Sequence, residues 1–412
     1  MRETEPAGST AEAVARRSYG KLIAFLAART RDVAAAEDAL GDAFAAALKE
    51  WPVKGPPSNP EAWLMTVAKR RIIDLSRRRR VGDAAERELT MLAEEMNAPA
   101  DPEFPDHRLK LMFACAHTAI DAAIRAPLIL QTVLGLDAAR IASAFLISPA
   151  AMGQRLSRAK AKIRDAGIPF AVPDANELPA RLEAVLDAIY AAYAEGWSDP
   201  KGTDVARREL AEEAVYLGGL VAEMLPEEPE ALGLVALMLH ADARREARRN
   251  ENGEYVPLEA QDPGLWNRPM IERAEGVLSR AAEFGAIGRY QLEAAIQSAH
   301  VERRRSGANN WPAIVQLYDA LLALISSPVA AINRAVALSE VEGPDAALAA
   351  LDKLAGDARL ASYQPYWAAR ASFLARTGAR EEASRAYEIA IGLEQDPSVR
   401  RFLETRRSAL SG

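Results

Sequence analysis

Hydrophobic residues recur every three or four positions along most of the chain, which is the period of an amphipathic helix. No convincing stretch alternates hydrophobic and polar residues around a hairpin turn, as a strand pair would. Two helices are predicted within residues 11–50, with a break near residues 29–32. The prolines and the glycine of residues 51–60 predict a loop that stops the second helix. The pattern therefore predicts an all-α fold.

A third helix is predicted to begin at Asn59, a good N-cap, with Pro60 as its first residue. Seven of the twelve residues from 69 to 80 are Lys or Arg. A cationic amphipathic helix with an aromatic residue near its start suits phosphates beside opened bases. A solvated surface helix or a polybasic membrane or localisation patch is the alternative. The candidate residues for opened DNA are Asn59, Trp63, Lys69, Arg70, Arg71, Arg77, Arg78, Arg79 and Arg80.

Residues 136–163 have the pattern of a helix-turn-helix. The first helix is expected to bury Ile141, Ala142 and Phe145, and Ser148 and Pro149 are expected to begin the second helix. Helical spacing predicts a buried face made of Met152, Leu156, Ala159 and Ile163. The opposite face and its flanks present the candidate duplex-DNA residues Ala150, Gln154, Arg155, Ser157, Arg158, Lys160 and Lys162. Small residues with a Gln and an Arg suit a major groove, although generic helical hairpins give similar patterns.

The chain after residue 173 is predicted to form successive helix pairs broken by Pro or Gly. Gly343 and Gly378 lie 35 residues apart, and each precedes an alanine-rich helix. That spacing is close to the tetratricopeptide period and predicts a helical-repeat domain. Ordinary packing of alanine-rich helices is the alternative.

The balance of charge also changes near residue 170. Residues 1–170 hold 25 Lys and Arg against 21 Asp and Glu, whereas residues 171–412 hold 26 against 37. Within the first part, residues 82–106 carry eight acids and one base, so an acidic linker separates two basic modules. This distribution predicts a polyanion as the partner of the N-terminal half.

Several other classes of protein are not expected. A single cysteine excludes a disulfide framework, and the absence of a long apolar run argues against a membrane protein, so a cytoplasmic location is expected. Cys115, His117 and His107 do not have the spacing of a zinc site and are interpreted as core residues. No phosphate loop, nucleophile elbow or triad is found, so neither a cofactor nor enzyme activity is expected.

Taken together, these motifs resemble a sigma-70 family transcription initiation factor of the extracytoplasmic-function type. Residues 62–64 and 73–80 resemble the region 2 helix that opens and reads the minus-10 element, and residues 136–164 resemble the region 4 helix-turn-helix for the minus-35 element. Residues 36–44 resemble the segment that docks on the clamp helices of the polymerase largest subunit. The resemblance implies docking roles for Glu37, Asp38, Leu40, Asp42 and Phe44, with Gly41 where the family usually has Gln.

The resemblance extends into the C-terminal half, which is similar to the tetratricopeptide-like extension of one subgroup. The residues that carry this resemblance are 232–245, 266–268 and 327–337. The domains implied are region 2 at 1–82, a linker at 83–106, region 4 at 107–172 and a regulatory helical domain at 173–412.

The resemblance implies promoter recognition, DNA melting and initiation with bacterial RNA polymerase core, contacted through its clamp helices and flap region. Promoter DNA is the second expected partner. The C-terminal domain is expected to regulate activity through contact with the N-terminal domains, another protein or a ligand. The alternative function is a helix-turn-helix regulator with a ligand- or protein-binding repeat domain.

Overall fold

The computed structural model describes residues 7–79, 107–145, 147–174, 176–197, 205–307 and 310–410. Its contacts divide the chain into two compact units. The first comprises Met1–Ser198 and Val205–Leu217, and the second comprises Asp199–Asp204 and Gly218–Gly412. The described residues form α-helices and short 3-10 turns, with one isolated β-bridge between Arg249 and Tyr255. The predicted all-α fold is confirmed.

The first unit begins with three helices that pack on one another. They are α1 (Ala7–Thr30), α2 (Val33–Lys54) and α3 (Pro60–Arg79). The predicted break between the first two helices is confirmed, because Asp32 caps α2 by accepting a hydrogen bond from the Ala35 N–H at 3.0 Å. The predicted start of α3 is also confirmed, since Asn59 accepts a hydrogen bond from the Ala62 N–H at 3.0 Å.

The predicted loop at residues 51–60 is wrong in its first four residues. Helix α2 continues through Pro52 to Lys54 and ends at Gly55, which has a φ of 78°. Pro52 cannot donate to the helical ladder, but Gly55 still closes the last turn by donating to the Trp51 carbonyl at 2.9 Å. The burial of Trp51 holds this turn against the core, so tertiary packing extends the helix beyond its local stop signal.

Among the described residues, four shorter helices come next in the same unit. They are α4 (His107–Cys115), α5 (Ala122–Thr132), α6 (Ala138–Ala144) and α7 (Pro149–Asp165). The Ser148 hydroxyl caps α7, and the predicted buried face is confirmed, because Met152, Leu156, Ala159 and Ile163 are all buried. The predicted burial of Ile141 and Ala142 is confirmed as well.

The predicted burial of Phe145 is wrong, since 37% of this residue is exposed. Helix α6 ends at Ala144, so Phe145 lies in the turn between α6 and α7. The spacing of an α-helix no longer determines the direction of a side chain beyond the last helical residue. Helical periodicity therefore described this hairpin correctly up to the turn and failed there.

Helix α8 (Leu178–Trp197) and the first part of α9 (Val205–Met224) also belong to the first unit. Helix α8 packs on α4 and α5, and Arg140 forms an ion pair with Glu195 at 2.8 Å. Arg108 in α4 is buried and forms an ion pair with Glu213 in α9. The compact unit therefore extends beyond residue 172 and includes the start of the C-terminal extension.

The described part of the second unit contains the end of α9 and nine further α-helices. These are α10 (Pro229–Asp242), α11 (Arg268–Glu283), α12 (Arg289–Ser306), α13 (Trp311–Leu324), α14 (Pro328–Val341), α15 (Pro344–Asp352), α16 (Gln364–Arg376), α17 (Arg380–Leu393) and α18 (Pro397–Ser408). From α11 on, each helix packs against the next one in sequence. Gly343 and Gly378 have φ values of 93° and 84°, which favour glycine, and each stands in the short turn before a helix.

Candidate nucleic-acid interface

Helix α7 presents a polar and cationic face on the side opposite its buried residues. Six of the seven residues predicted to contact duplex DNA are exposed there, namely Ala150, Gln154, Arg155, Ser157, Arg158 and Lys162. Arg158 donates a weak hydrogen bond of 3.4 Å to the side-chain oxygen of Gln154, one turn away. Small side chains at two of these positions leave space for a close approach, and guanidinium and amide groups match base edges and phosphates.

Lys160 is the predicted duplex-DNA residue that does not share this environment. Its Nζ lies 2.5 Å from Oε2 of Glu37 in α2, and only 12% of the Lys160 side chain and 17% of the Glu37 side chain are exposed. Glu37 was predicted to dock on polymerase. The structure therefore brings together two residues that were predicted to contact different partners.

The other predicted docking residues of α2 have three different environments. Asp38 and Asp42, four residues apart, are exposed on one face of the helix, with Gly41 beside them. Leu40 is completely buried, and Phe44 is half-buried. The exposed carboxylates can reach a partner directly, whereas Leu40 supports the helix from within the core.

The described cations of α3 are arranged differently from those of α7. The Nζ of Lys69 lies 5.2 Å from the centre of the Phe25 ring, and Arg71 Nε lies 2.7 Å from Oδ2 of Asp42. Burial, and then the nearby charge of Arg29, lower the pKa of Lys69 from its ordinary value. Arg70 is exposed. Arg80 and the side chains of Arg77, Arg78 and Arg79 lie outside the described residues.

The start of α3 combines an aromatic pair with its cap. The rings of Trp63 and Trp51 meet edge to face with centroids 5.5 Å apart, and Trp63 is half-buried. Asn59 is exposed, although its side-chain oxygen is engaged by the helix. Of the two predicted base-contacting residues at this end of α3, Trp63 is held by an aromatic contact and Asn59 by the helix cap.

Sequence reasoning missed the cationic pair over Phe25. The guanidinium carbon of Arg29 lies 3.5 Å from the centre of the Phe25 ring that Lys69 also approaches. Phe25 and Arg29 are one helical turn apart, which is a local signal for this contact. The approach of Lys69 depends on the packing of α3 against α1 and has no signal in the sequence.

Among the described residues, no three His, Cys, Asp or Glu side chains are arranged to hold a metal ion. The expectation of core residues is confirmed for Cys115, whereas His107 and His117 are only partly buried. The Sγ of Cys115 lies 3.4 Å from the Thr132 hydroxyl, and burial raises the pKa of the thiol to about 12. None of the helices in the described part of the chain is both long enough and apolar enough to cross a membrane.

The sequence of the first three helices matches a known family. Residues 14–81, which contain most of α1 and all of α2 and α3, match sigma-70 region 2. A region 2 at this position supports membership of the sigma-70 family, and it implies binding to RNA polymerase core and promoter DNA. Residues 181–282 match a family of unknown function, DUF6596.

A relative covers almost the whole chain. "Uncharacterized protein R00370" of Rhizobium meliloti (strain 1021) is 40% identical over 387 residues, which cover 92% of this chain and 91% of the relative. The chain belongs to the same protein family as this relative. No solved structure gives a significant match.

Proposed function

We propose that the chain is an RNA polymerase sigma factor of the extracytoplasmic-function type, with a C-terminal helical domain that regulates it. The observation that carries the proposal is the match of residues 14–81 to sigma-70 region 2, in a compact unit that also contains the exposed cationic face of α7. In this proposal α1–α3 are region 2, and α4–α7 are a region 4 with a helix-turn-helix formed by α6 and α7.

In this proposal the two basic helices bind different parts of the promoter. Helix α7 binds duplex DNA at the minus-35 element, where Arg155 and Lys162 neutralise phosphates while Gln154 and Arg158 meet base edges. Helix α3 binds the separated strand at the minus-10 element through its cations and through an extruded base near Asn59. Unstacking a base costs roughly a few kcal/mol, which strand capture and polymerase binding must offset.

Polymerase binding is assigned to α2. Asp38 and Asp42 supply exposed carboxylates on one face, next to a bare backbone at Gly41, where an added side chain would meet no other atom within 4 Å. Leu40 and Phe44 hold the helix at the angle that presents those carboxylates. On this account, the partner of α2 is the clamp-helix region of the core enzyme.

The C-terminal unit is proposed to be a tetratricopeptide-like regulator. The sequential packing of its helices and the two left-handed glycines 35 residues apart support a repeat architecture. A groove of about 750 Å³ gives it a concave surface for a partner, lined both by polar residues such as Glu272, Glu275 and Glu302 and by the apolar Ile271 and Val301. The chain acts by binding in this proposal, without catalysis of its own.

A helix-turn-helix regulator that acts without polymerase is the second candidate. The exposed face of α7 and the groove of the second unit would suit a DNA-binding domain with a sensor domain. The match to sigma-70 region 2 weighs against it, since a simple regulator needs neither a docking helix nor a strand-opening helix.

Transcription from fragmented genomic DNA separates the two candidates. The full chain, added to purified core polymerase, is expected to produce transcripts that begin at a small set of defined positions, and neither component alone should do so. Tight binding of the chain alone to specific sites, with no new start sites in the presence of core, would support the regulator and contradict the proposed function.

A further inference from the structure

The ion pair between Glu37 and Lys160 joins two parts of the first unit that the proposed function assigns to different partners. Glu37 stands on the proposed polymerase-docking helix α2, and Lys160 stands on the proposed DNA-binding helix α7. The atoms are 2.5 Å apart, and both side chains are largely withdrawn from water. Neither group is therefore available to polymerase or to DNA in this arrangement.

The ion pair belongs to a built interface. Helix α1 packs on α4, and α2 packs on α7. A methyl group at Gly20 would lie 2.1 Å from the Val133 carbonyl oxygen, so only glycine permits this approach of backbones. The rings of Phe25 and His107 meet edge to face with centroids 5.9 Å apart.

A second charged contact lies at the same interface. Arg164, one turn beyond Lys160, has its Nη1 4.0 Å from Oδ2 of Asp32, the residue that caps α2. Arg164 also donates to Asp165 at 2.9 Å and is about half exposed, so Asp32 adds a weaker contact beside the Glu37–Lys160 pair.

The energetics of such a pair suit a contact that opens. Burial raises the pKa of Glu37 above its ordinary value, and the charge of Lys160 counteracts that rise. The second carboxylate oxygen, Oε1, is buried and has no hydrogen-bond partner. Removing one partner of a buried pair leaves the other charge uncompensated, so the closed arrangement should persist until new partners take up both groups.

We propose that the Glu37–Lys160 pair is an autoinhibitory latch that holds the chain in a closed state with low affinity for polymerase and promoter. The inference rests on the proposed function, because that function assigns the two residues to polymerase and DNA. Core polymerase that captures Glu37 releases Lys160 for promoter phosphates. By linkage, promoter DNA that captures Lys160 favours core binding by the same factor.

Distances in the free chain test whether the latch holds the closed state. Spin labels at Leu48 in α2 and Ala166 after α7, both exposed, report the separation of the two helices once Cys115 has been replaced by Ser. The starting protein should give one narrow distance distribution. Lys160→Gln should broaden it and shift it to longer distances, whereas Lys162→Gln, an equal loss of charge on the exposed face, should leave it unchanged. The same distribution in Lys160→Gln and the starting protein overturns the latch.

Binding of core polymerase without DNA tests the regulatory role. Release of the latch raises the population that can bind, so Lys160→Gln should bind core about tenfold more tightly, and Lys162→Gln should match the starting protein. If the chain binds core and Lys160→Gln does not change the affinity, the latch is wrong while the proposed function is not affected. Failure of every variant to bind core overturns the proposed function and the role of the latch in it.

A covalent cross-link that keeps the chain closed tests whether the closed state binds core weakly. In a Cys115→Ser chain that also carries Asp32→Cys and Arg164→Cys, a short bis-maleimide can bridge the two new thiols across the former Asp32–Arg164 contact. The bridged protein should lose at least tenfold in core affinity relative to the same protein before bridging. Equal affinity of the bridged and unbridged forms contradicts the proposal, and this comparison does not depend on how well Lys160→Gln folds.

Discussion

The two basic helices of the first unit carry similar charge in different physical surroundings. Helix α7 buries one complete face and exposes Arg155, Arg158 and Lys162 on the other. In helix α3, Lys69 lies over an aromatic ring, and Arg71 forms an ion pair with Asp42. Three cations of α7 therefore face solvent, whereas described cations of α3 make contacts within region 2.

The buried faces of the two helices should be equally important for stability. Leu64 in α3 and Leu156 in α7 are both buried, so Leu64→Ala and Leu156→Ala should each lower the free energy of unfolding by about 3 kcal/mol. Thermal or denaturant unfolding measures both values. An effect below about 1 kcal/mol at either position would show that the helix does not pack as described.

Replacements on the exposed face of α7 should weaken DNA binding and leave the stability of the fold almost unchanged. Arg155→Ala with Arg158→Ala should reduce the affinity of the polymerase-bound chain for promoter duplex about 100-fold and reduce the salt dependence by about one ion, because only Arg155 is assigned to a phosphate. Unfolding should change by less than about 0.5 kcal/mol, because these side chains are exposed. Fluorescence anisotropy at several salt concentrations measures the affinity. Arg140→Ala, which removes an arginine from α6, provides the control and should keep the full salt dependence.

A smaller effect is expected for the paired cation of α3. Arg71 and Asp42 are both about half exposed, so Arg71→Ala should lower the free energy of unfolding by less than about 1 kcal/mol. Arg70→Ala, at the adjacent exposed position, should change it less still. Equal losses at the two positions would show that the Asp42 contact contributes nothing to region 2.

Local signals explain why much of this fold could be predicted. Ser148 and Pro149 begin α7, and four apolar residues at helical spacing determine its buried face, all of which lies within 16 residues of sequence. The same is true of Asn59 and Pro60 at the start of α3. Caps and periodicity act through neighbouring residues, so the sequence alone was sufficient.

Features that depend on tertiary contacts could not be predicted. Helix α2 passes Pro52 because Trp51 is buried by other helices, and Phe145 is exposed because its helix ends one residue earlier. The pairing of Lys160 with Glu37 joins residues 123 positions apart. Periodicity placed Lys160 correctly on the flank of α7 but gave no information about what lies against that flank.

Reconstituted initiation with core polymerase tests the central claim, that the two basic helices act together on promoter DNA. Strand opening is measured by the permanganate reactivity of thymines near the start site. It should require the full chain and should be lost when Arg155 and Arg158 are both replaced by Ala. Supplying a template that is already opened around the start site should restore transcription by that variant. Strand opening that survives the double replacement, or a variant that stays inactive on opened template, would contradict the account.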